Sequence, residues 1–161
     1  MVTITEAEAW RALATIADPE IPVVNVVEMG IVRRVDMRPD CIAVHMTPTF
    51  SGCPALDVMR DDIVRTLRAL GARSVRVVTL LHPPWSSDWI SDAAREKLRA
   101  FGLAPPPKHG NDTNVILLDA ATCPRCGSAN TALKNAFGST LCRSIFVCNV
   151  CREPFEQFKP I

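Results

Sequence analysis

Four cysteines near the C-terminus constrain this chain more than any other feature. They form two C-x-x-C pairs, separated by residues 127–147: Cys123 with Cys126, and Cys148 with Cys151. Two thiolates at this spacing can bind one metal ion, and two such pairs joined by a hairpin are typical of a closed four-thiolate site. The sequence therefore predicts a small zinc-ribbon-like β domain over residues 113–161.

Zinc is the metal we expect, because a structural site with four thiolates and no open position is the usual zinc pattern. Iron in a rubredoxin-like site would use the same ligands, and the spacing does not distinguish the two metals. The segment has few large apolar side chains, so the metal should hold the fold. We expect Cys142 to be a packed thiol of the hairpin, and an extra or replacement metal ligand is the alternative.

A further cysteine lies where the hydrophobic period of the chain changes. Residues 42–47 alternate as a strand, and an apolar stripe with helical spacing follows at Leu56, Met59, Ile63 and Leu67. Cys53 therefore lies at a strand-to-helix turn, and Pro54 suits the first helical position. Backbone N–H groups at a helix start favour thiolate over thiol. We interpret Cys53 as a functional thiol, and the alternative is a buried packing residue.

The residues before the cysteine pairs predict a small α/β domain. Its predicted elements are a helix opened by a Thr5/Glu8 capping box, strands over 31–37 and 41–47, the helix after Cys53, a strand over 74–81, and a helix from Ser91 to Gly102. The order α-β-β-α-β-α indicates an α+β two-layer fold. Trp85 and Trp89 are expected to close over the core.

The domain organisation follows from composition. Residues 1–103 form the predicted α/β domain, and residues 104–112 are a Pro-rich linker that contains three consecutive prolines. A short strand over 115–118 should lead into the cysteine domain, 113–161.

Charge and hydropathy exclude several classes of protein. The 18 basic and 17 acidic residues leave a formal charge of +1 without a basic run, so neither nucleic acid nor a membrane surface is a predicted partner. No apolar run reaches the ~20 residues that cross a bilayer, and Glu6 and Glu8 rule out a secretory signal. We expect a cytoplasmic protein whose cysteines bind metal or react rather than form disulfides.

Several motifs resemble those of a known family. Asp18-Pro19-Glu20-Ile21-Pro22, Glu28-Met29-Gly30-Ile31 and the stretch from Thr47-Pro48 to Gly52-Cys53-Pro54 are similar to the SufT-like iron–sulfur assembly factors. Pro83-Pro84-Trp85-Ser86, the cysteine tail and residues 153–160 narrow the resemblance to the branch that serves aerobic phenylacetate degradation. It covers nearly the whole chain. One departure is Glu28-Met29-Gly30, where the family usually has Asp-Leu-Gly.

The resemblance implies a non-catalytic accessory role for phenylacetyl-CoA epoxidase, a multicomponent di-iron oxygenase. The implied task is maturation or repair of a metal centre, such as the iron–sulfur cluster of the reductase subunit, and the implied partners are epoxidase subunits. It singles out Cys53 as the functional thiol and Asp18 and Glu20 as an acidic pair. The residues alone leave two interpretations of Asp18 and Glu20, which lie beside prolines. They are solvated turn residues, or they supply oxygen ligands or a general base.

Coordination chemistry limits how Cys53 could hold a cluster. An iron–sulfur cluster normally takes four thiolate-type ligands, whereas Cys41 begins the strand whose far end leads to Cys53. One subunit therefore offers one loop thiolate. We expect Cys53 to hold iron or a cluster transiently, with the Asp18/Glu20 loop, a second copy of the chain or the client completing the coordination.

Two other functions stay open at this stage. One is a cysteine-dependent enzyme, with thioesterase-like or thiol-transfer activity, in which His45 would serve as the base. The other is a non-catalytic docking scaffold, in which the tail binds the oxygenase and Cys53 is inert.

Overall fold

The computed structural model describes residues 4–50, 52–108 and 121–160. These residues belong to two compact units, Met1–Trp85 and Ser86–Ile161. The N-terminal unit contains α1 (Glu6–Leu13), β1 (Val32–Met37), β2 (Ile42–Met46), α2 (Leu56–Ala69) and β3 (Val75–Thr79). The C-terminal unit contains a 3-10 turn (Ser87–Trp89), α3 (Asp92–Phe101), β4 (Leu103–Ala104), β5 (Thr131–Asn135), β6 (Arg143–Cys148) and β7 (Pro154–Phe158).

The N-terminal sheet has the strand order β1-β2-β3. β1 and β2 form the predicted antiparallel pair, and β2 pairs with β3 in parallel, with Met46 opposite Thr79. The predicted order of helices and strands is confirmed. Because α2 connects two parallel strands, the loops that follow β2 and β3 both leave the sheet at its carboxyl edge.

Local signals set the helix ends and the core of this unit. The Thr5/Glu8 capping box is present: the Glu8 N–H donates to Thr5 Oγ1 at 3.3 Å, and the Thr5 N–H donates to Glu8 Oε2 at 2.8 Å. Leu13, Met59, Ile63 and Leu67 are buried with Val44 and Met46. Trp85 is also buried, and its Nε1–H donates to the Met29 carbonyl at 3.0 Å, which confirms its predicted place in the core.

The C-terminal unit is built on a four-stranded sheet of order β4-β7-β6-β5. β6 is antiparallel to both of its neighbours, and β4 is parallel to β7. α3 begins and ends as predicted, because Ser91 Oγ accepts from the Ala94 N–H at 3.1 Å and Gly102 is left-handed with φ 90°. The predicted strand over 115–118 lies outside the described residues.

The compact units divide after Trp85, ahead of the predicted boundary at residue 103. The buried Arg95 guanidinium ties α3 to the segments around it, since it donates to the carbonyls of Ser87, Ile90 and Pro106. β4 then pairs with β7, where Leu103 lies opposite Glu156. The domain boundaries at 103 and 112 stay predictions, and residues 109–112 of the predicted linker lie outside the described part of the chain.

Among the described residues, no helix has the length and the apolar composition needed to cross a membrane.

A polar network holds the β5–β6 connection against β7. The Glu156 carboxylate accepts from the Ser139 N–H at 2.6 Å, from Ser139 Oγ at 3.0 Å and from the Arg143 guanidinium at 3.0 Å. Partial burial acts to raise the pKa of Glu156, but these donors hold it below its usual value. Gly138 lies so close that an added Cβ would sit 2.6 Å from Glu156 Oε1.

We expect Glu156→Gln to weaken the C-terminal sheet by about 1–2 kcal/mol at pH 7, because a charge-assisted acceptor is lost while Arg143 stays buried. Amide hydrogen exchange of β6 and β7 would measure the loss, as roughly 5–30-fold lower protection. Since the folded pKa of Glu156 is depressed, its contribution is present above the ordinary value of 4.5 and declines as the pH falls below it.

The matched control is Glu153→Gln, an exposed glutamate immediately before β7. Bound metal should be measured in the same samples, because we expect loss of a metal ion to lower protection in both variants. Equal protection in the Glu156 and Glu153 variants would contradict the prediction.

Candidate metal centre and thiol loop

Two similar turns present the four cysteines of the C-terminal unit. In the first turn the Gly127 N–H donates to the Cys123 carbonyl at 2.9 Å, and in the second the Arg152 N–H donates to the Cys148 carbonyl at 3.0 Å. Gly127 and Arg152 both adopt positive φ, 74° and 66°. This conformation is uncommon for a residue with a Cβ. Arg152 is not predicted by the cysteine spacing, but it occupies the same position in C-N-V-C-R that Gly127 occupies in C-P-R-C-G.

The four sulfur atoms meet at one point. The Sγ atoms of Cys123 and Cys151 are 3.7 Å apart, those of Cys126 and Cys148 are 3.5 Å apart, and all four lie within 4.8 Å of one another. A tetrahedral ion with metal–sulfur bonds of ~2.3 Å requires sulfur–sulfur distances of ~3.8 Å. Disulfides, at ~2.05 Å, are far shorter. The arrangement therefore suits one metal ion bound by four thiolates.

The pKa values of Cys148 and Cys151 differ, because backbone N–H donors, burial and neighbouring thiols act on the two residues differently. The Cys151 N–H donates to Cys148 Sγ at 3.5 Å and lowers the pKa of Cys148 to about 6. The Glu153 N–H acts to lower the pKa of Cys151, but burial and the neighbouring thiols raise it to about 12. Metal binding must displace the remaining protons, since the thiolate is the ligand.

A small apolar cluster packs beside the four sulfurs. Phe146 and Phe155 stack with ring centroids 5.8 Å apart, and they form a small core with Cys123 and Cys148.

Cys142 is buried outside the four-sulfur group, where its Sγ lies 3.0 Å from Thr140 Oγ1. This position suits a packed thiol.

Two consecutive turns present Cys53 in the N-terminal unit. The Cys53 N–H donates to the Phe50 carbonyl at 3.1 Å, and the Cys53 carbonyl accepts from the Leu56 N–H at 3.2 Å. The side chain is half-buried. Phe50 is 42% exposed, and its ring lies so close to Gly52 that an added Cβ would be 3.0 Å from a ring carbon. Cys53 is therefore held on a fixed backbone with its sulfur partly accessible.

The start of α2 differs from the prediction. Pro54 does not open the helix, which begins at Leu56 after an Ala55 cap that makes no side-chain hydrogen bond. Pro54 lies instead inside the turn closed by Cys53 and Leu56, where its fixed φ fits the second turn position. The sulfur thus lies farther ahead of the helix dipole than the sequence suggested.

Asp18 has a structural role in the turn that it forms with Glu20. Asp18 is buried, and its Oδ1 accepts from the N–H groups of Glu20 and Ile21 at 2.8 and 2.9 Å. Glu20 is half-buried. Asp18 is therefore not a solvated turn residue. The assignment of Asp18 and Glu20 to an iron or cluster site stays a prediction.

His45 has a different partner from the one the enzyme hypothesis requires. Its Nε2 lies 2.9 Å from Asp36 Oδ2 and 3.2 Å from an Arg34 nitrogen, both on β1. Within the described part of the chain, His45 makes no hydrogen bond to Cys53. The structure does not bring a Cys53–His45 pair together.

Comparisons with known proteins cover both units. Residues 6–80 match the family model of an iron–sulfur cluster assembly protein, and residues 107–159 match that of the PaaD zinc beta ribbon domain. The chain is 41% identical to a putative 1,2-phenylacetyl-CoA epoxidase subunit of Escherichia coli (strain K12), over 96% of this chain and 92% of that relative.

Two further similarities concern the N-terminal part. A Porphyromonas gingivalis Fe-S protein maturation auxiliary factor is 35% identical, over 58% of this chain and 90% of the relative. The crystal structure of a DUF59 domain from Bacillus anthracis, 27% identical, aligns with a TM-score of 0.54 over 58% of this chain and 90% of that one.

We expect Cys126→Ser to lose the bound metal and the folded C-terminal sheet, because three thiolates no longer close a tetrahedral site. Elemental analysis should fall from about one metal ion per chain, and amide exchange of β5–β7 should become unprotected. Cys142→Ser is the matched control and should keep both. Equal metal content in the two variants would contradict this assignment of the ligands.

Proposed function

Because the chain belongs to the PaaD family, in which an iron–sulfur cluster assembly domain precedes a zinc beta ribbon, we propose that it is a non-catalytic accessory protein of phenylacetyl-CoA epoxidase. Its task is to assist assembly of an iron–sulfur cluster or other metal centre in an epoxidase subunit, in the cytoplasm. The names of two groups of relatives support this proposal: one is a putative epoxidase subunit, and the others are Fe-S protein maturation factors.

The geometry of Cys53 carries the proposal. Both backbone hydrogen-bonding groups of Cys53 are used in adjacent turns, and its side chain is half-buried at the carboxyl edge of the sheet. A rigid, partly accessible thiol can bind iron without rearrangement of the loop. A single thiolate leaves the cargo incompletely coordinated, so that cysteines of a client can replace it by ligand exchange.

The Asp18/Glu20 turn, a second copy of the chain or the client would supply the remaining ligands. Asp18 already fixes its own turn through Oδ1, which would hold the Glu20 carboxylate in a defined place. Carboxylate oxygen is a suitable hard ligand for iron that has not yet entered a cluster.

The ribbon has a separate role in this proposal. Its four thiolates would hold zinc as a structural ion, since the closed set leaves no position for chemistry. The metal thus keeps the small C-terminal sheet folded and takes no part in the transfer of cargo.

One observation favours a docking role for the ribbon. Phe137 and Leu141 are 60% and 54% exposed, and Lys159 Nζ lies 4.4 Å from the Phe137 ring centroid. Exposed apolar side chains of this size are typical of protein contacts. A scaffold that binds the epoxidase without handling metal is therefore the second candidate function.

Reconstitution of a cluster-depleted epoxidase reductase tests the proposal. We expect Cys53→Ser to slow the return of the cluster spectrum at least roughly 10-fold, because the variant loses the cargo ligand. Cys41→Ser, which removes the other cysteine of the same unit, should restore the cluster at the normal rate. If Cys53→Ser restored it equally well, the scaffold would be the better account.

A further inference from the structure

The outer edge of β3 pairs with no other strand among the described residues, since the sheet has the order β1-β2-β3. On the inner side, the Ser74 carbonyl accepts from the Ile42 N–H at 2.9 Å, and the Leu80 N–H donates to the Met46 carbonyl at 2.8 Å. The backbone groups of successive strand residues alternate between the two sides of a strand, so the even-numbered residues of β3 bond to β2. The outward N–H and C=O groups belong to the odd-numbered residues, Val75, Val77 and Thr79.

The three other edges of the two described sheets each have a feature that hinders pairing with another chain. β1 has an irregular register between Val32 and Arg34, and the Val32 N–H is already bonded to the Val26 carbonyl at 3.0 Å. β5 has an irregular register between Leu133 and Asn135, and β4 is only 2 residues long. Bulges, charged residues and very short strands are the usual ways in which proteins protect sheet edges.

β3 has none of these features. Its register with β2 is regular from Val75 to Thr79. The strand contains no proline or glycine, and its single charged residue, Arg76, directs its backbone groups towards β2. Val77 is only half-buried, although Val44 opposite it is fully buried. A regular, β-branched edge without protection is a template for pairing with another strand.

The outward groups of β3 are symmetric about Val77. When two copies of β3 pair antiparallel with their Val77 residues opposite each other, Val75 of each copy lies opposite Thr79 of the other. In an antiparallel pair, every second pair of opposite residues exchanges two N–H···O bonds. This register therefore uses all the outward N–H and C=O groups of both strands. Arg76 lies opposite Val78, so no two like charges face each other directly.

We propose that β3 binds β3 of a second copy of this chain in this antiparallel register, which joins two three-stranded sheets into one continuous sheet. The contact is isologous, as is usual in dimers with two-fold symmetry. The half-buried Val77 side chain of each copy is then covered by that of the other. Formation of this dimer requires neither Cys53 nor a cargo, so the inference does not rest on the proposed function.

The dimer also bears on the ligands of a cargo held by Cys53. Because the two β3 strands are antiparallel, the carboxyl edges of the two sheets lie at opposite ends of the combined sheet. The loops that lead to Cys53 therefore leave it in opposite directions. This arrangement favours the client, rather than the second copy, as the source of the remaining ligands.

Amide hydrogen exchange of the full, metal-loaded chain at low and high concentration tests the pairing, with the mass measured by sedimentation at each concentration. As the mass rises from one chain to two, the outward amides of Val75, Val77 and Thr79 should become protected at least roughly 10-fold. The amides of Arg76 and Val78, which face β2, should be protected at both concentrations. This alternation is specific to pairing at the outer edge of β3.

Val77→Pro removes the central outward N–H, and edge strands tolerate proline where the N–H faces solvent. We expect this variant to keep the Arg76 and Val78 amides protected and to stay monomeric at concentrations where the native chain is dimeric. Val77→Thr keeps the N–H and a β-branched side chain, so it is the matched control and should dimerise. Val77→Lys also keeps the N–H, but it sets like charges opposite each other only in the dimer, and it should stay monomeric even if the proline variant does not fold.

A native chain that stays monomeric with its outward β3 amides unprotected would overturn the inference. Dimers of Val77→Lys as stable as those of the native chain would do the same, because the contact would then lie elsewhere. If the outward amides became protected only when an epoxidase subunit was added, the edge would bind a client strand instead, and the inference would also be wrong.

Discussion

The meeting of four sulfur atoms at one point is the interaction on which we expect the C-terminal unit to depend. Around them Phe146 stacks on Phe155, and the Glu156 network and the buried Arg95 guanidinium add polar contacts. Further apolar side chains of this unit are also buried, namely Ile90, Leu98, Leu103 and Phe158. We expect binding of one metal ion to the four thiolates to stabilise this unit, so that metal binding and folding are coupled.

The N-terminal unit depends on a different constraint, the parallel pairing of β2 with β3. The register that sets Met46 opposite Thr79 decides which loops are neighbours at the carboxyl edge. The loop after β2 leads to Cys53, and the loop after β3 begins at Leu80, whose N–H donates to the Met46 carbonyl at 2.8 Å. In the proposed division of labour, the N-terminal sheet presents the Cys53 loop, and the ribbon offers exposed apolar side chains for docking.

Local patterns were reliable where the physical cause was local. The capping box at Thr5, the serine cap of α3 and the left-handed Gly102 involve residues a few positions apart, so the sequence contains all of the partners. The start of α2 was misplaced by two residues, because the hydrogen bond from Leu56 to Cys53 competes with helix formation at Pro54. The residues alone did not predict whether Asp18 is buried, because its burial depends on the conformation of the turn whose N–H groups donate to its carboxylate.

The residue pattern was enough to predict the four cysteines that the structure brings together and the order of helices and strands. C-x-x-C spacing and hydrophobic period involve only residues that are close together in the chain. They therefore indicate local structure without knowledge of long-range packing. Tertiary structure alone decided that Cys142 lies outside the four-sulfur group, that His45 pairs with Asp36, and that Thr79 buries a hydroxyl without a partner among the described residues. Each of these depends on strand register, which is set by long-range packing and which no short stretch of sequence encodes.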